Sequence, residues 1–176
     1  MQEGTKITRL VLAAALCLLP TLMHAETNFA VFPKWQHALE GLEYCRPDCF
    51  DFEFKSNPDT RELVGQVNRY VNNVYEYEEE MTDYWKTPQE FVHDGGGDCE
   101  DFAIMKYMLL LNLGFADEDM DVVVGHVKGE AHAVLTLRLG RKLLVLDNQT
   151  NKLLDKNYFK QMKVAFRINR NGWERG

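Results

Sequence analysis

The chain has 176 residues, of which 45% are hydrophobic and 27% are charged. This size and balance fit one globular domain that buries its own core without metal or disulfide cross-links, and they exclude repeat arrays and disordered tails. The formal net charge is −7 at pH 7, which is opposite to the basic surface that binds nucleic-acid backbones. The composition therefore argues against nucleic acid as a partner.

Residues 1–25 have the order of a secretory signal peptide. Lys6 and Arg9 precede an apolar run over residues 10–19, and Ala25 supplies a small residue for cleavage. Pro20 interrupts the apolar run before it reaches the length of a membrane span. We therefore expect export, removal of residues 1–25, and one mature domain over residues 26–176.

Export gives the four cysteines different meanings. Cys17 leaves with the signal peptide. Cys45 and Cys49 could form a disulfide in an oxidising compartment, but two reduced thiols are an equal alternative because so short a loop is easily strained. Cys99 is then a lone thiol in an exported protein, and such a thiol points to reactivity.

Helical patterns dominate the first part of the mature chain. Apolar residues at helical spacing predict a helix over residues 61–80, which ends in a solvated acidic run at residues 78–80. Thr87 and Pro88 predict the start of a short helix. After the glycines at 95–97, a helix over residues 99–113 is apolar on more than one side, with Gly114 as its C-terminal cap. Such a helix should lie at the centre of the core.

Strand patterns follow from residue 121 onward. Residues 122–124, 131–137, 142–146 and 164–168 are β-branched or alternate between apolar and polar side chains, with glycines between them. Helices followed by strands predict an α+β fold with a largely antiparallel sheet.

Cys99 follows three glycines and Asp98 at the predicted start of the long helix. Free backbone N–H groups and the positive end of the helix dipole favour the thiolate there, which suits a nucleophile. The alternative is a small buried residue with no chemical role.

His132 and Asp147 are the predicted general base and its orienting acid, because they flank a hairpin. If Leu139 and Gly140 form a two-residue turn, His132 lies directly opposite Asp147. If the turn is Gly140 and Arg141, they are diagonal neighbours on the same face. Only a turn of odd length would separate them. The alternatives are a hydrogen-bonded edge histidine and a turn acid.

Two other histidines compete for the role of base. His126 lies near the end of the preceding strand without an acid placed to orient it, and His93 precedes the glycine run. Both are weaker candidates than His132.

Three acids, Asp98, Glu100 and Asp101, surround the cysteine. Their charges would raise the thiol pKa and oppose the helix dipole, unless a cation neutralises them. Carboxylate oxygens at this density suit calcium. From the residues alone, helix capping by Asp98 and Asp101 is the stronger interpretation.

Several motifs together resemble those of the bacterial transglutaminase-like cysteine proteases. They are Gly96-Gly97-Asp98-Cys99-Glu100-Asp101-Phe102-Ala103, Lys106, Leu113-Gly114-Phe115, His132-Ala133-Val134-Leu135 and Leu146-Asp147-Asn148. The resemblance implies a periplasmic enzyme with a papain-like, transglutaminase-like fold. It also implies a catalytic triad of Cys99, His132 and Asp147.

The same resemblance implies calcium dependence through the acids beside the cysteine, which moves Asp98, Glu100 and Asp101 from capping to metal binding. Residues 116–121 are a candidate for further calcium ligands, and Trp85 and Gln89 for a second oxyanion donor. The implied substrate is the N-terminal region of a large biofilm adhesin, cut at an Ala-Ala bond. The implied regulator is an inner-membrane cyclic di-GMP receptor that sequesters the protease.

Two other function classes are compatible with these residues. A transglutaminase or amidase would use the same triad and resolve the thioester with an amine. A calcium-binding interaction module without activity is the non-enzymatic alternative, and the intact set of Cys99, His132 and Asp147 argues against it.

Overall fold

The computed structural model describes residues 29–44 and 59–176. Its regular elements are, in chain order, α1 (Pro33–Tyr44), α2 (Thr60–Val74), β1 (Glu76–Tyr77), α3 (Pro88–Asp94), β2 (Gly96–Gly97), α4 (Cys99–Asn112), β3 (Met120–Val127), β4 (Glu130–Leu139), β5 (Lys142–Leu146), β6 (Leu154–Asp155), β7 (Met162–Asn169) and β8 (Gly172–Arg175). Helices precede a mainly antiparallel sheet, so the α+β prediction is confirmed. The predicted signal peptide, Cys45 and Cys49 lie outside the described residues. Within the described ranges, none of the helices has the length and apolar character of a membrane span.

Helix α2 begins at an N-cap, where the Asp59 carboxylate accepts a hydrogen bond from the Glu62 N–H at 2.8 Å. Its buried face carries Val64, Val67 and Val71 at helical spacing. The helix ends at Val74, so the predicted extension to residue 80 is wrong.

The chain turns into an extended conformation at Tyr75, and Glu76 and Tyr77 then pair in parallel with Gly96 and Gly97. This pairing joins residues 20 positions apart, and a local hydrophobic pattern carries no information about it. The acidic run that follows is not wholly solvated either, because Glu80 forms a salt bridge with the buried Lys86.

Helix α3 has the predicted start. The Thr87 hydroxyl accepts from the Glu90 N–H at 3.2 Å, and the Glu90 carboxylate accepts from the Thr87 N–H at 2.7 Å, which is a complete capping box. Gly95 ends the helix with a φ of +82°, a left-handed conformation that favours glycine.

Helix α4 is the predicted central helix, and every residue from Asp101 to Leu110 is buried. The larger sheet has the strand order β6-β5-β4-β3-β7-β8, with antiparallel neighbours throughout. The sequence patterns predicted β3, β4, β5 and β7, but they did not predict α1 or the short edge strands β6 and β8.

The two faces of the larger sheet have different covers. The inner face packs against α4 through residues such as Leu135, Leu137 and Leu146. On the opposite face, here called the outer face, Val123, Val134 and Val145 form a smaller cluster with Tyr158 and Met162. Tyr158 belongs to a short 3-10 helix, Lys156–Lys160, between β6 and β7.

Candidate active site

Cys99 is the first residue of α4 and lies directly after Asp98 and strand β2. A side chain on Gly96 would collide with the Glu76 carbonyl group, so glycine is required for β1 and β2 to approach. This pairing fixes the N-terminus of α4, where the backbone N–H groups of the first turn have no partners within the helix. The predicted placement of the thiol beside these donors is therefore present.

Asp101 braces the turn before the cysteine. Its carboxylate is buried and accepts backbone N–H bonds from Lys86 at 2.8 Å and from Asp98 at 3.2 Å. A side chain on Gly97 would collide with this carboxylate. Burial outweighs the two hydrogen bonds and raises the pKa of Asp101 to about 7.

His132 and Asp147 meet as diagonal neighbours across the β4–β5 hairpin. Leu139 pairs with Lys142, so the turn consists of Gly140 and Arg141, and the direct opposition predicted from a Leu139-Gly140 turn is wrong. The diagonal alternative holds, because His132 Nε2 lies 3.0 Å from Asp147 Oδ1. Both side chains are buried, at 6% and 4% exposure.

The Asp147 carboxylate is ionised in this setting. Burial alone would raise its pKa, but hydrogen bonds from His132 and from the Gln149 N–H, the latter at 2.9 Å, hold the pKa below its ordinary value. The Asp147 backbone carbonyl accepts from Asn72 Nδ2 at 2.9 Å. Asp147 is thus held at the end of β5 in the charged form that orients a histidine.

The Cys99 thiol donates a hydrogen bond to Glu100 Oε2 at 3.2 Å. Burial and the Glu100 charge raise the thiol pKa well above its ordinary value, although the Ala133 N–H acts in the opposite direction. Burial and the acids thus outweigh the donors that favour the thiolate. A positive charge close to these acids would favour ionisation of the thiol.

Asp98, Cys99 and Glu100 have the geometry of a cation site, because one ligand atom from each lies within 4.8 Å of the others. Asp98 Oδ1 is buried and has no hydrogen-bond partner among the described residues. Burial and the neighbouring Glu100 raise the pKa of Asp98, so its negative charge is poorly stabilised there unless a cation lies close to it. The residues therefore fit a hard divalent cation.

The three predicted metal ligands are brought together only in part. Asp98 and Glu100 share the cluster with the thiol. Asp101 lies behind it with both carboxylate oxygens bonded to backbone N–H groups. Residues 116–121 lie elsewhere, since Asp117 contacts Tyr107 and Arg170, and Asp121 lines a separate depression.

A cleft of about 640 Å³ contains the thiol and the histidine. Cys99, His132, Asp98 and Glu100 line it together. Its apolar wall consists of the side chains of Phe32, Trp35, Trp85 and Phe166, and exposed Tyr77 and Met81 lie at its rim. The wall residues at 32 and 35 come from a segment without a predicted element, although Pro33 in the first turn of α1 is a helix-start signal.

The remaining candidates for the oxyanion donor and the general base differ in whether they line the cleft. Trp85 lines the cleft, whereas Gln89 donates its side-chain N–H to the Gly41 carbonyl at 2.8 Å and is committed to α1. His126 is exposed on β3, and the exposed His93 ring contacts Asp94. Neither of these histidines lines the cleft that contains the thiol.

The sequence motifs include Lys106 without giving it a role, and the structure buries it in α4. Its amine is fully buried, lies 5.7 Å from the centre of the Phe102 ring, and has no hydrogen-bond partner among the described residues. Burial lowers its pKa to about 7, against the opposing effect of the Asp147 charge. In the unfolded chain, Lys106 would have the ordinary pKa of a lysine, near 10.4.

We expect Lys106→Met to stabilise the protein at pH 7, because it removes a poorly solvated amine from the core. Between pH 7 and the unfolded pKa, the unfolded chain binds more protons at this residue than the folded protein does. Stability should therefore rise with pH in the wild type, by up to about 1.4 kcal/mol per pH unit. Denaturant unfolding from pH 7 to 9 should show a smaller slope for Lys106→Met. The exposed Lys142→Met is the control, and equal slopes for the two variants would contradict the expectation.

Comparison with known proteins identifies the family. The family model of the bacterial transglutaminase-like cysteine proteinases matches residues 36–174. LapG of Legionella pneumophila has a similar structure, with a TM-score of 0.62 and 26% identity over 82% of this chain and 78% of that one. Its calcium-bound structure gives a TM-score of 0.59 and 27% identity over 82% and 81%, and its EGTA-treated structure gives 0.60 and 26% over 82% and 76%.

No curated protein matches the chain. The family match covers most of the described residues. The fold is transglutaminase-like, as the motifs predicted. The chain belongs to the bacterial transglutaminase-like cysteine proteinases and is a cysteine protease.

Proposed function

We propose that this chain is a calcium-dependent periplasmic endopeptidase with Cys99 as nucleophile, His132 as general base and Asp147 as orienting acid. The observation that carries the proposal is a single cleft lined by Cys99, His132 and the acid pair Asp98 and Glu100. The buried bond between His132 and Asp147 completes the arrangement that thiol proteases need.

In the first step, His132 takes the thiol proton. Its Nε2 faces Asp147, so Nδ1 is the ring nitrogen left for the thiol. The thiolate then attacks the scissile carbonyl carbon, and the negative oxygen that forms would accept the Cys99 backbone N–H. We propose Trp85 as the second donor, since it lines the cleft and Gln89 does not.

In the second step, His132 returns the proton to the leaving amine, and the peptide bond breaks to give a thioester on Cys99. His132 then takes a proton from water, which attacks the thioester and releases the new carboxyl terminus. Ionised Asp147 stabilises the imidazolium in both half-reactions.

We further propose calcium at the cluster of Asp98 and Glu100. Asp98 Oδ1 has no partner among the described residues and the ligand atoms are close enough to share an ion, and LapG has been obtained in calcium-bound and EGTA-treated forms. Bound calcium would supply the positive charge that an ionised thiol beside two carboxylates requires. Asp101 would brace the site, and it could act as a ligand by exchanging one of its backbone hydrogen bonds.

The proposed substrate is the N-terminal region of a large surface adhesin, cut between two alanines so that the adhesin leaves the cell surface. The proposed regulator is a LapD-like, inner-membrane cyclic di-GMP receptor whose periplasmic domain sequesters the protease. Family membership and the likeness to LapG support both proposals. The cleft's exposed Tyr77 and Met81 also suit an extended peptide.

The test is incubation of residues 26–176 with the N-terminal part of an adhesin from the same genome. With calcium we expect two fragments, whose new termini mass spectrometry identifies, and with chelator or with Cys99→Ala we expect none. Incorporation of an added primary amine into an uncut adhesin would indicate a transglutaminase instead, and release of ammonia from an uncut adhesin would indicate an amidase. An intact adhesin in every sample would contradict the proposed substrate.

A further inference from the structure

The catalytic pair lies on the sheet face that α4 does not cover. Side chains alternate between the two faces of a strand. His132 lies two residues before Val134, and Asp147 two residues after Val145, and both valines belong to the outer-face cluster. Since His132 and Asp147 are almost fully buried, a second element must shield them on this side.

The short helix Lys156–Lys160 supplies that cover. It packs against β5 and β7, and its start is fixed by the Asp155 carboxylate, which accepts from the Asn157 N–H at 2.8 Å. Tyr158 points into the cluster from this helix and is only 8% exposed. Its ring packs edge-to-face against Phe159, with 5.8 Å between the centroids.

The Tyr158 hydroxyl lies beside the Asp147 carboxylate and interacts with it electrostatically. Burial and the Asp147 charge raise the pKa of Tyr158, and the hydroxyl in turn helps to lower the pKa of Asp147. The carboxylate is hydrogen-bonded to His132 and to the Gln149 N–H, and the Tyr158 hydroxyl approaches it from a third element. A third polar group would fix the carboxylate more firmly than these two bonds do alone.

We propose that Tyr158 is a positioning residue for the catalytic pair, whose hydroxyl fixes the Asp147 carboxylate and through it the His132 ring. The inference rests on the proposed triad. It assigns a role to the 3-10 helix, which otherwise would only fill the outer face of the sheet.

Tyr158→Phe keeps the ring and removes the hydroxyl, so it separates positioning from packing. We expect kcat to fall roughly tenfold or more while KM stays within about twofold. Losses of this size are typical when a residue that orients a catalytic or metal-binding side chain is replaced. Tyr107→Phe is the matched control. Tyr107 is also buried, and its hydroxyl donates to the carboxylate of Asp117, which does not line the catalytic cleft. It should lose comparable stability and retain kcat.

A double-mutant cycle tests whether Tyr158 acts through Asp147. In an Asp147→Asn background, Tyr158→Phe should have little further effect on kcat, whereas the effect of any change that acts independently should be retained in full. A full additional loss in that background, or equal losses in kcat for Tyr158→Phe and Tyr107→Phe, would overturn the proposal.

A spectroscopic measurement keeps this test separate from the proposed function, because it needs no substrate. The His132 Nε2–H bonded to Asp147 should give a downfield proton NMR signal that His132→Ala removes. We expect Tyr158→Phe to shift or broaden this signal and Tyr107→Phe to leave it unchanged. If the wild type cleaves no adhesin but the signal responds in this way, the substrate proposal fails and the positioning role stands. A signal that Tyr158→Phe leaves unchanged would reject the positioning role.

Discussion

Cys99→Ala and His132→Ala should each abolish proteolysis, with losses of roughly five to six orders of magnitude in kcat. The two residues act as one unit, since the base is useless without the nucleophile and the buried thiol stays protonated without the base. Asp147→Asn should lower kcat by at least about a hundredfold, because the amide cannot stabilise the imidazolium. Cleavage of the adhesin fragment, followed by quantitative gel analysis, measures all three.

The controls for this experiment are His126→Ala and His93→Ala, which remove exposed histidines outside the cleft. Both should retain wild-type kcat. Asp147→Asn should also stay folded, since the Asn side-chain oxygen can still accept the Gln149 N–H that Asp147 accepts. If His132→Ala cuts at near wild-type rate, the assignment of the base is wrong and His126 becomes the candidate.

The contact between His132 and Asp147 was predictable because it depends on the two-residue period of a strand. Whichever two-residue turn closes the β4–β5 hairpin, His132 and Asp147 share one face. The structure selects the turn at Gly140 and Arg141 and the diagonal contact. The exact register was therefore uncertain from sequence, whereas the proximity of the two side chains was not.

Features that depend on distant segments could not be predicted. The end of α2 at Val74 reflects the pairing of β1 with β2, which lies beyond the reach of helical periodicity. The approach of Tyr158 to Asp147 likewise brings a short 3-10 helix to the end of a strand. The burial of Lys106 follows from the sheet on one side of α4 and helices on the other. In each case the feature depends on tertiary contacts, which a local sequence pattern does not contain.

Helix capping and metal binding, which competed in the sequence, are not exclusive in the structure. Asp101 bonds the backbone of the turn, as a capping residue does, and this leaves Asp98 and Glu100 beside the thiol. One acid therefore builds the helix start and the other two create a local excess of negative charge. Burial and this excess raise the thiol pKa, and a cation bound beside the two acids would offset the effect of their charges.

Chelation should therefore stop cleavage, and added calcium should restore it. Magnesium should restore it poorly, because it requires a tighter octahedral shell than two carboxylates beside a thiol can readily form. Asp98→Asn and Glu100→Gln should each mimic chelation with the triad untouched.

Thermal unfolding gives a readout that needs no substrate. Calcium at about 100 times its Kd should stabilise the wild type by about 2.7 kcal/mol. The variant that combines Asp98→Asn with Glu100→Gln should show no stabilisation by calcium.

Glu79→Gln is the matched control, because Glu79 lines the same cleft and lies outside the cluster with the thiol. This variant removes one negative charge from the cleft but should keep both the calcium-induced rise in Tm and the calcium-dependent cleavage. If Asp98 serves only as a helix cap, the results differ: chelator would leave cleavage unchanged, and Asp98→Ala would cost about 1 kcal/mol of stability with or without calcium. A chelator-insensitive enzyme would thus remove calcium from the mechanism, and the thiol would have to obtain its positive partner from His132 alone.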